Sequence, residues 1–406
     1  MKSFFLNLIH SKKIVIGLWC SVIVFTFLKH HVFSTPHNNY AIYKYVYVHA
    51  SHDESIFQLH PDEYKDKNHY GPVFSMVFAP FALLPDWLGE LLWVSLGVLF
   101  LLWAVYALPL KEWQKNGMLL ICLNELLTAG FNVQFNIALA GIILFSYILI
   151  IREKEFLAPV PFLIALFIKL YGIVALSFFF FVKNKSKYIL ACVAWSIVLF
   201  IAPMIISSPG YVIDTYVEWF YTLIEKNGEN VSLLSYQDIS VMGFFRRCLQ
   251  NSTIPNFPFI LGGIVLFALP YLRISQYKQT AFQLLLVAST LMFPVLFSSS
   301  SEGSTYIVVF VGIALWFVIQ PRPYTWVHWT LLALVIFFAT LNSTDVYPRA
   351  MRQFLALHSI KAVPCTLVWL RIIYEMMTKN FATYTTGSDE PTVVQSDSLN
   401  PQTLSR

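Results

Sequence analysis

Long apolar runs separated by short charged or proline-marked breaks dominate the chain. Each run of about twenty residues reads as a membrane-crossing helix. This predicts spans near 13–33, 88–108, 116–131, 134–151, 188–207, 257–272, 279–297, 304–320, 325–342 and 360–377. The stretch 156–182 is too long for one comfortable span and is interrupted by Lys169, which predicts two short helices meeting at the outer side. The segment 72–85 is apolar but short, and Pro72, Pro80 and Pro85 punctuate it. It predicts an interfacial or re-entrant helix. The first run follows Lys2, Lys12 and Lys13, is too long for a signal-peptide core and has no small-residue cleavage pattern after it, so it reads as a retained span. The expected fold is therefore an all-α polytopic membrane protein over residues 1–378, with about 10–12 transmembrane helices. Its first outer loop is 34–71 and its second 208–256. A tail rich in Ser, Thr, Asp and Pro, 379–406, is expected to be disordered and cytoplasmic.

Composition sharpens this reading. Of 406 residues, 57% are apolar and only 12% charged, where a soluble domain carries about 25% charged residues. A mean hydropathy of +0.63 excludes a cytosolic enzyme, a disordered chain and a collagen-like chain. The net charge of +5 is explained by lysines and arginines at span ends and implies no nucleic-acid partner. With the N-terminus inside, Lys111, Lys115, Arg152, Lys154, Lys183, Lys185, Lys187, Arg273, Lys278, Arg322 and Lys379 all fall on the inner side. The positive-inside rule thus supports the topology and places both termini in the cytoplasm, as for an integral plasma (inner) membrane protein. The five cysteines are scattered and form no disulfide framework.

Polar groups at membrane depth are costly and mark function by default. On this topology they gather on the outer side. The first outer loop holds Asp53, Glu54, Asp62, Glu63 and Asp66, with His49, His52, His60 and His69. Asn132, Gln134 and Asn136 lie in a tight outer turn, and Lys169 sits at the apex of the 156–182 pair. Tyr236, Gln237, Asp238 and Ser240 lie in the second outer loop, and Ser298 to Glu302 form another turn. A polar, acid-bearing face over an apolar bundle suits a site where a lipid-linked substrate meets a water-soluble one. The loop histidines show no H-x-x-x-H spacing, so no metal site is expected from them. No phosphate-binding glycine loop or dinucleotide fingerprint occurs.

Several residue patterns, taken in order, resemble glycosyltransferase family 87, whose members are polyprenyl-phosphate-dependent enzymes of the GT-C type. They are Asn38-Asn39-Tyr40 with Tyr43, then His69-Tyr70-Gly71-Pro72 leading to Leu84-Pro85. Gln134-Phe135-Asn136, Lys169, and Ser240 to Gly243 before Arg246 and Arg247 follow. The resemblance implies a GT-C-like bundle and transfer of a hexose, often mannose, from polyprenyl phosphate to a glycan or glycolipid hydroxyl at the outer face, with inversion. It implies no nucleotide or other cofactor. A loop carboxylate would act as general base, and Lys, Arg or amide groups would bind the phosphate. Many members carry Asp at the start of the loop. Here Asn39 stands at that place, and an amide cannot act as base. Asp66, four residues before Tyr70, is then the first candidate base, followed by Glu63 and Asp62. Asn39, Tyr70, Gln134, Asn136, Lys169, Asp238, Arg246 and Glu302 are the candidate substrate-binding residues.

Each has a structural reading beside the functional one. The acids from Asp62 to Asp66 alternate with Lys65 and Lys67 as a solvated loop would. Lys169 either snorkels to the interface or binds an anion. Gln134 and Asn136 are also turn and cap residues, Glu302 also suits a helix N-terminus, and Arg246 and Arg247 also mark a loop. Three alternatives stand. One is a transporter or flippase with Glu125 at midplane, although no convincing repeat relates the halves. Another is a polymerase or ligase of surface polysaccharide, whose usual Arg and His concentration in a late outer loop is weak here. The third is a catalytically inactive relative, suggested by Asn39.

Overall fold

The computed structural model describes residues 9–33, 38–235 and 237–383. The expectations for Lys2, Tyr236 and the tail beyond residue 383 lie outside the described residues. Within them the apolar runs fold as helices and no strand occurs. Helix α1 is Lys12–Leu28, capped by Ser11 and prolonged by a wider turn to Phe33. Next come α2 (Asn38–Ser51), α3 (Val73–Ala82), α4 (Asp86–Ala107), α5 (Glu112–Phe131) and α6 (Asn136–Ile151). Helix α7 (Pro159–Ile168) ends at Lys169 and is followed by a tight 3-10 helix, Leu170–Phe181, packed back against it. The expected pair of short helices with Lys169 at the junction is therefore present. The chain continues through α8 (Lys185–Ile201), α9 (Pro209–Asn230), α10 (Val241–Cys248), α11 (Phe257–Ala268), α12 (Thr280–Leu296) and α13 (Tyr306–Val318). It closes with α14 (Trp326–Val335), α15 (Arg349–Leu357) and α16 (Ala362–Thr378).

The protein is a polytopic helical membrane protein. Lys12–Phe33, Asp86–Ala107 and Lys185–Ile205 are each long and apolar enough to cross a membrane, and the pair Arg349–Leu357 and Ala362–Thr378, bent by 53°, makes a further candidate. Shorter apolar helices of 10–17 residues make up most of the remaining bundle. Helix α13 is buried along its whole length. A helix that is apolar all round belongs at the centre of a bundle, and α13 packs there between α5 and α12. Helix α8 is peripheral, and Ile189, Leu190, Val193, Ile197 and Val198 face outward. Such a contiguous apolar surface is what lipid covers.

The basic loops meet at one end of the bundle. Arg322 stacks on Trp113 at 3.9 Å, Arg273 donates to the Lys379 carbonyl at 3.0 Å, and Lys379 reaches Gln320 at 3.4 Å. The acid- and amide-bearing loops meet at the other end. There Gly71 N–H donates to the Ile168 carbonyl at 2.9 Å and Ile239 N–H to the Ser301 carbonyl at 2.7 Å. The acid- and amide-bearing loops carry helices of their own, α2, α9 and α10. Hydropathy passed over these helices because polar residues are interspersed along each of them.

Candidate active site

The His-Tyr-Gly-Pro segment builds one wall. Asn68, 1% exposed, folds back on it, accepting from Tyr70 N–H at 3.0 Å and donating to the Tyr70 carbonyl at 2.9 Å. Trp219 of α9 donates to the His69 carbonyl at 3.0 Å. Gly71 lies so close to the end of α7 that a Cβ there would stand 2.2 Å from the Phe167 carbonyl oxygen. Only glycine fits, and its fit brings Tyr70 beside Lys169.

The second wall is the turn between α5 and α6. Val133 adopts φ 51°, a strained conformation for a β-branched residue. Its carbonyl is held by Trp93 Nε1 at 3.2 Å. This turn carries Gln134 into a relay of hydrogen bonds. Tyr70 Oη donates to Gln134 Oε1 at 3.2 Å, and Gln134 Nε2 donates to Glu302 Oε1 at 3.0 Å. Asn136 Nδ2 donates to the same Gln134 oxygen at 3.2 Å, and Lys169 Nζ donates to Asn136 Oδ1 at 3.0 Å. Tyr43 Oη stands 3.2 Å from Tyr70 Oη. Asn39 donates to the Asn132 carbonyl at 2.8 Å, tying α2 to the turn. Glu302 also forms a capping box with Thr305, so its cap role and its place in the relay coexist.

These residues surround a cavity of about 340 Å³. Asn39, Asp66, Tyr70, Gln134, Lys169 and Glu302 all line it. Asn136 joins them through Lys169 and Gln134. Of the three candidate acids only Asp66 lines the cavity. Its carboxylate accepts from the Lys67 backbone N–H at 2.9 Å, and no side chain among the described residues pairs with it. Glu63 stands instead 2.9 Å from His49 Nε2, and Asp62 is exposed on the loop surface. Asp238 and Arg246 are both buried and pair with each other at 2.7 Å. They lie behind the cavity wall, where Gln237 is the lining residue. Burial pushes the Asp238 carboxyl above its ordinary range, although Ser240 and Arg246 pull it down. Glu125 is buried and paired with Lys361 at 2.7 Å, away from the cavity.

The cavity also uses residues that sequence reasoning did not single out. Tyr171 donates to Ser298 Oγ at 2.7 Å and presents its ring 4.7 Å from Lys169 Nζ. Trp219, Lys226 and Asn227 come from α9, whose alternation of polar and apolar positions was the available signal. His69, which the sequence does mark as the start of the His-Tyr-Gly-Pro segment, lines the cavity as well, and burial together with the charge of Lys226 lowers its pKa to about 4. It is therefore neutral at physiological pH.

Fold and site together define a membrane protein with a polar cavity at one end of an apolar helical bundle. The family model described as glycosyltransferase family 87 matches residues 68–299, more than half of the chain. The chain belongs to that family and is, on that ground, a glycosyltransferase. The matched region carries Tyr70, Gln134, Asn136, Lys169, Asp238 and Arg246, while Asn39, Asp66 and Glu302 lie beyond its ends. No match is found among curated proteins.

Proposed function

We propose that the protein transfers a sugar, a hexose such as mannose, from a polyprenyl-phosphate donor to a glycan or glycolipid hydroxyl at the outer face of the plasma membrane. One observation carries the reading: a carboxylate without a side-chain partner, Asp66, and a partly buried ammonium, Lys169, line the same cavity. An ammonium has three donors. That of Lys169 has one hydrogen bond, to Asn136, and a ring face beside it, which leaves donors for a phosphate oxygen.

In this reaction the acceptor oxygen attacks the anomeric carbon as the bond from that carbon to the phosphate oxygen breaks. The polyprenyl phosphate departs with the electron pair, and Lys169 stabilises the charge that develops on it. Asp66 takes the proton of the acceptor hydroxyl, the role that Asn39 cannot fill. Gln134 and Glu302 present an amide and a carboxylate to sugar hydroxyls, and Tyr70 and Tyr171 offer ring faces. Inversion follows from a single displacement.

Lys169→Met tests the donor half. A charge-assisted hydrogen bond contributes about 1.5–3 kcal/mol, so kcat/KM for polyprenyl-phosphate mannose is expected to fall roughly 10- to 150-fold. Unchanged kcat/KM in folded Lys169→Met protein excludes the assigned phosphate role.

A further inference from the structure

The first outer loop brings together three residues that the cavity does not use. His49 comes from the last turn of α2, and His60 and Glu63 from the turn that follows. The His49 and His60 rings lie 4.1 Å apart, centroid to centroid. His49 Nε2 is 2.9 Å from Glu63 Oε2. One ligand atom from each of the three residues lies within 4.8 Å of the other two. Tyr64 packs against both rings, and Tyr45 against His49. His49 is 2% exposed. Yet His49 Nδ1 and His60 Nε2 are shielded from solvent with no hydrogen-bond partner among the described residues. Shielded polar atoms without partners are costly, and two in one cluster, beside a carboxylate, call for a common ligand.

We propose that His49, His60 and Glu63 bind a divalent transition-metal ion, zinc foremost, that clamps the first outer loop to α2. Two imidazoles and one carboxylate are a zinc donor set, and a water completes the tetrahedron. Bonds of roughly 2.0–2.1 Å place tetrahedral ligand atoms about 3.3 Å apart, so the 2.9 Å contact of His49 with Glu63 opens slightly and separations of up to 4.8 Å close. Calcium and magnesium prefer all-oxygen shells, which two imidazoles do not supply. None of the three residues lines the cavity, so the ion has a positioning role. It fixes the turn from His60 to Glu63, and Asp66 follows three residues later. This assigns Glu63 to the clamp. The histidine spacing along the chain concealed the site, because its ligands come from a helix end and a separate turn.

Zinc binding by the full-length protein in detergent tests the proposal. Protein stripped with EDTA and dialysed against zinc chloride is analysed for bound metal by mass spectrometry and titrated against a zinc-chelating dye. Wild type is expected to hold one zinc ion per chain, and zinc is expected to raise its thermal midpoint. His60→Ala and Glu63→Gln are each expected to bind at least about 100-fold more weakly, since even groups behind the ligands change affinity about 10- to 100-fold. His52→Ala, which alters a loop histidine outside the cluster, is expected to bind as wild type does. Glu63→Gln preserves shape and carries the test if His60→Ala does not fold. Wild type that holds no zinc, or variants at His60 and Glu63 that retain it, overturns the proposal. These readouts do not depend on sugar transfer.

Discussion

Arg246→Met removes a buried cation without removing most of the side-chain volume. The guanidinium is 1% exposed. It donates to Asp238 Oδ2 at 2.7 Å and to the Ile254 carbonyl at 2.9 Å, and also to Asn256 Oδ1. Methionine restores none of these bonds. Asp238 is left buried with Ser240 Oγ, at 2.5 Å, as its side-chain donor. Breaking a buried ion pair from one side costs about 3–5 kcal/mol, because the remaining charge is uncompensated. The cost depends on pH. Burial already raises the Asp238 carboxyl, and loss of Arg246 removes one of the groups opposing that rise. A carboxyl whose folded pKa exceeds its unfolded value contributes stability that is full below the unfolded pKa and lost as pH rises through the folded one. The deficit of Arg246→Met is therefore expected to grow as pH rises above the ordinary carboxylate range. Asp238→Asn/Arg246→Met is expected to recover part of the loss and to flatten the pH dependence. Thermal unfolding in detergent, followed by tryptophan fluorescence at several pH values, measures both effects. Sugar transfer per folded molecule is expected to stay near wild type, since neither residue lines the cavity. A deficit of less than about 0.5 kcal/mol, the size of an ordinary surface change, or one independent of pH, refutes the reasoning.

Two further outcomes follow from the loop around Tyr70. Gly71→Ala places a Cβ 2.2 Å from the Phe167 carbonyl oxygen, so backbone must move. Stability is expected to fall by about 1–3 kcal/mol and transfer activity to drop with it, both measurable on one purified sample. His69 is lowered from 6.5 to about 4. The unfolded chain therefore binds more protons between those values, and stability is expected to decline by about 3 kcal/mol as pH falls from 6.5 to 4. His69→Gln is expected to remove that part of the acid sensitivity in the same thermal assay.

The helices were legible because lipid imposes a simple rule: a crossing segment is apolar and satisfies its own backbone. Runs such as Asp86–Ala107 and Lys185–Ile205 announce themselves in this way. Lys169 marked the break in the 156–182 pair because a charge inside an apolar run is costly unless the chain turns there toward water or a partner. Helices α2, α9 and α10 were not legible as helices. Their pattern is that of an interface, and hydropathy passes over it. At the site, Asn39, Asp66, Tyr70, Gln134, Lys169 and Glu302 were chosen from the sequence and line one cavity. The pairing of Asp238 with Arg246, the diversion of Glu63 to His49 and the entry of Tyr171 and Trp219 all depend on contacts between distant segments. No local spacing encodes those contacts, and only the packing of the loops on one another reveals them.

The assignment of Asp66 as the base that serves a lipid-linked donor is the centre of the account. The direct test gives wild type and Asp66→Asn protein, reconstituted in lipid, radiolabelled polyprenyl-phosphate mannose and an acceptor extract. General-base catalysis contributes about 10²–10⁴-fold. Label is expected to pass to the acceptor with wild type and to pass at least about 100-fold more slowly with Asp66→Asn, while the variant keeps its thermal midpoint. Transfer by folded Asp66→Asn at the wild-type rate, or no transfer by wild type from polyprenyl-phosphate mannose, glucose, galactose or arabinose, contradicts the account.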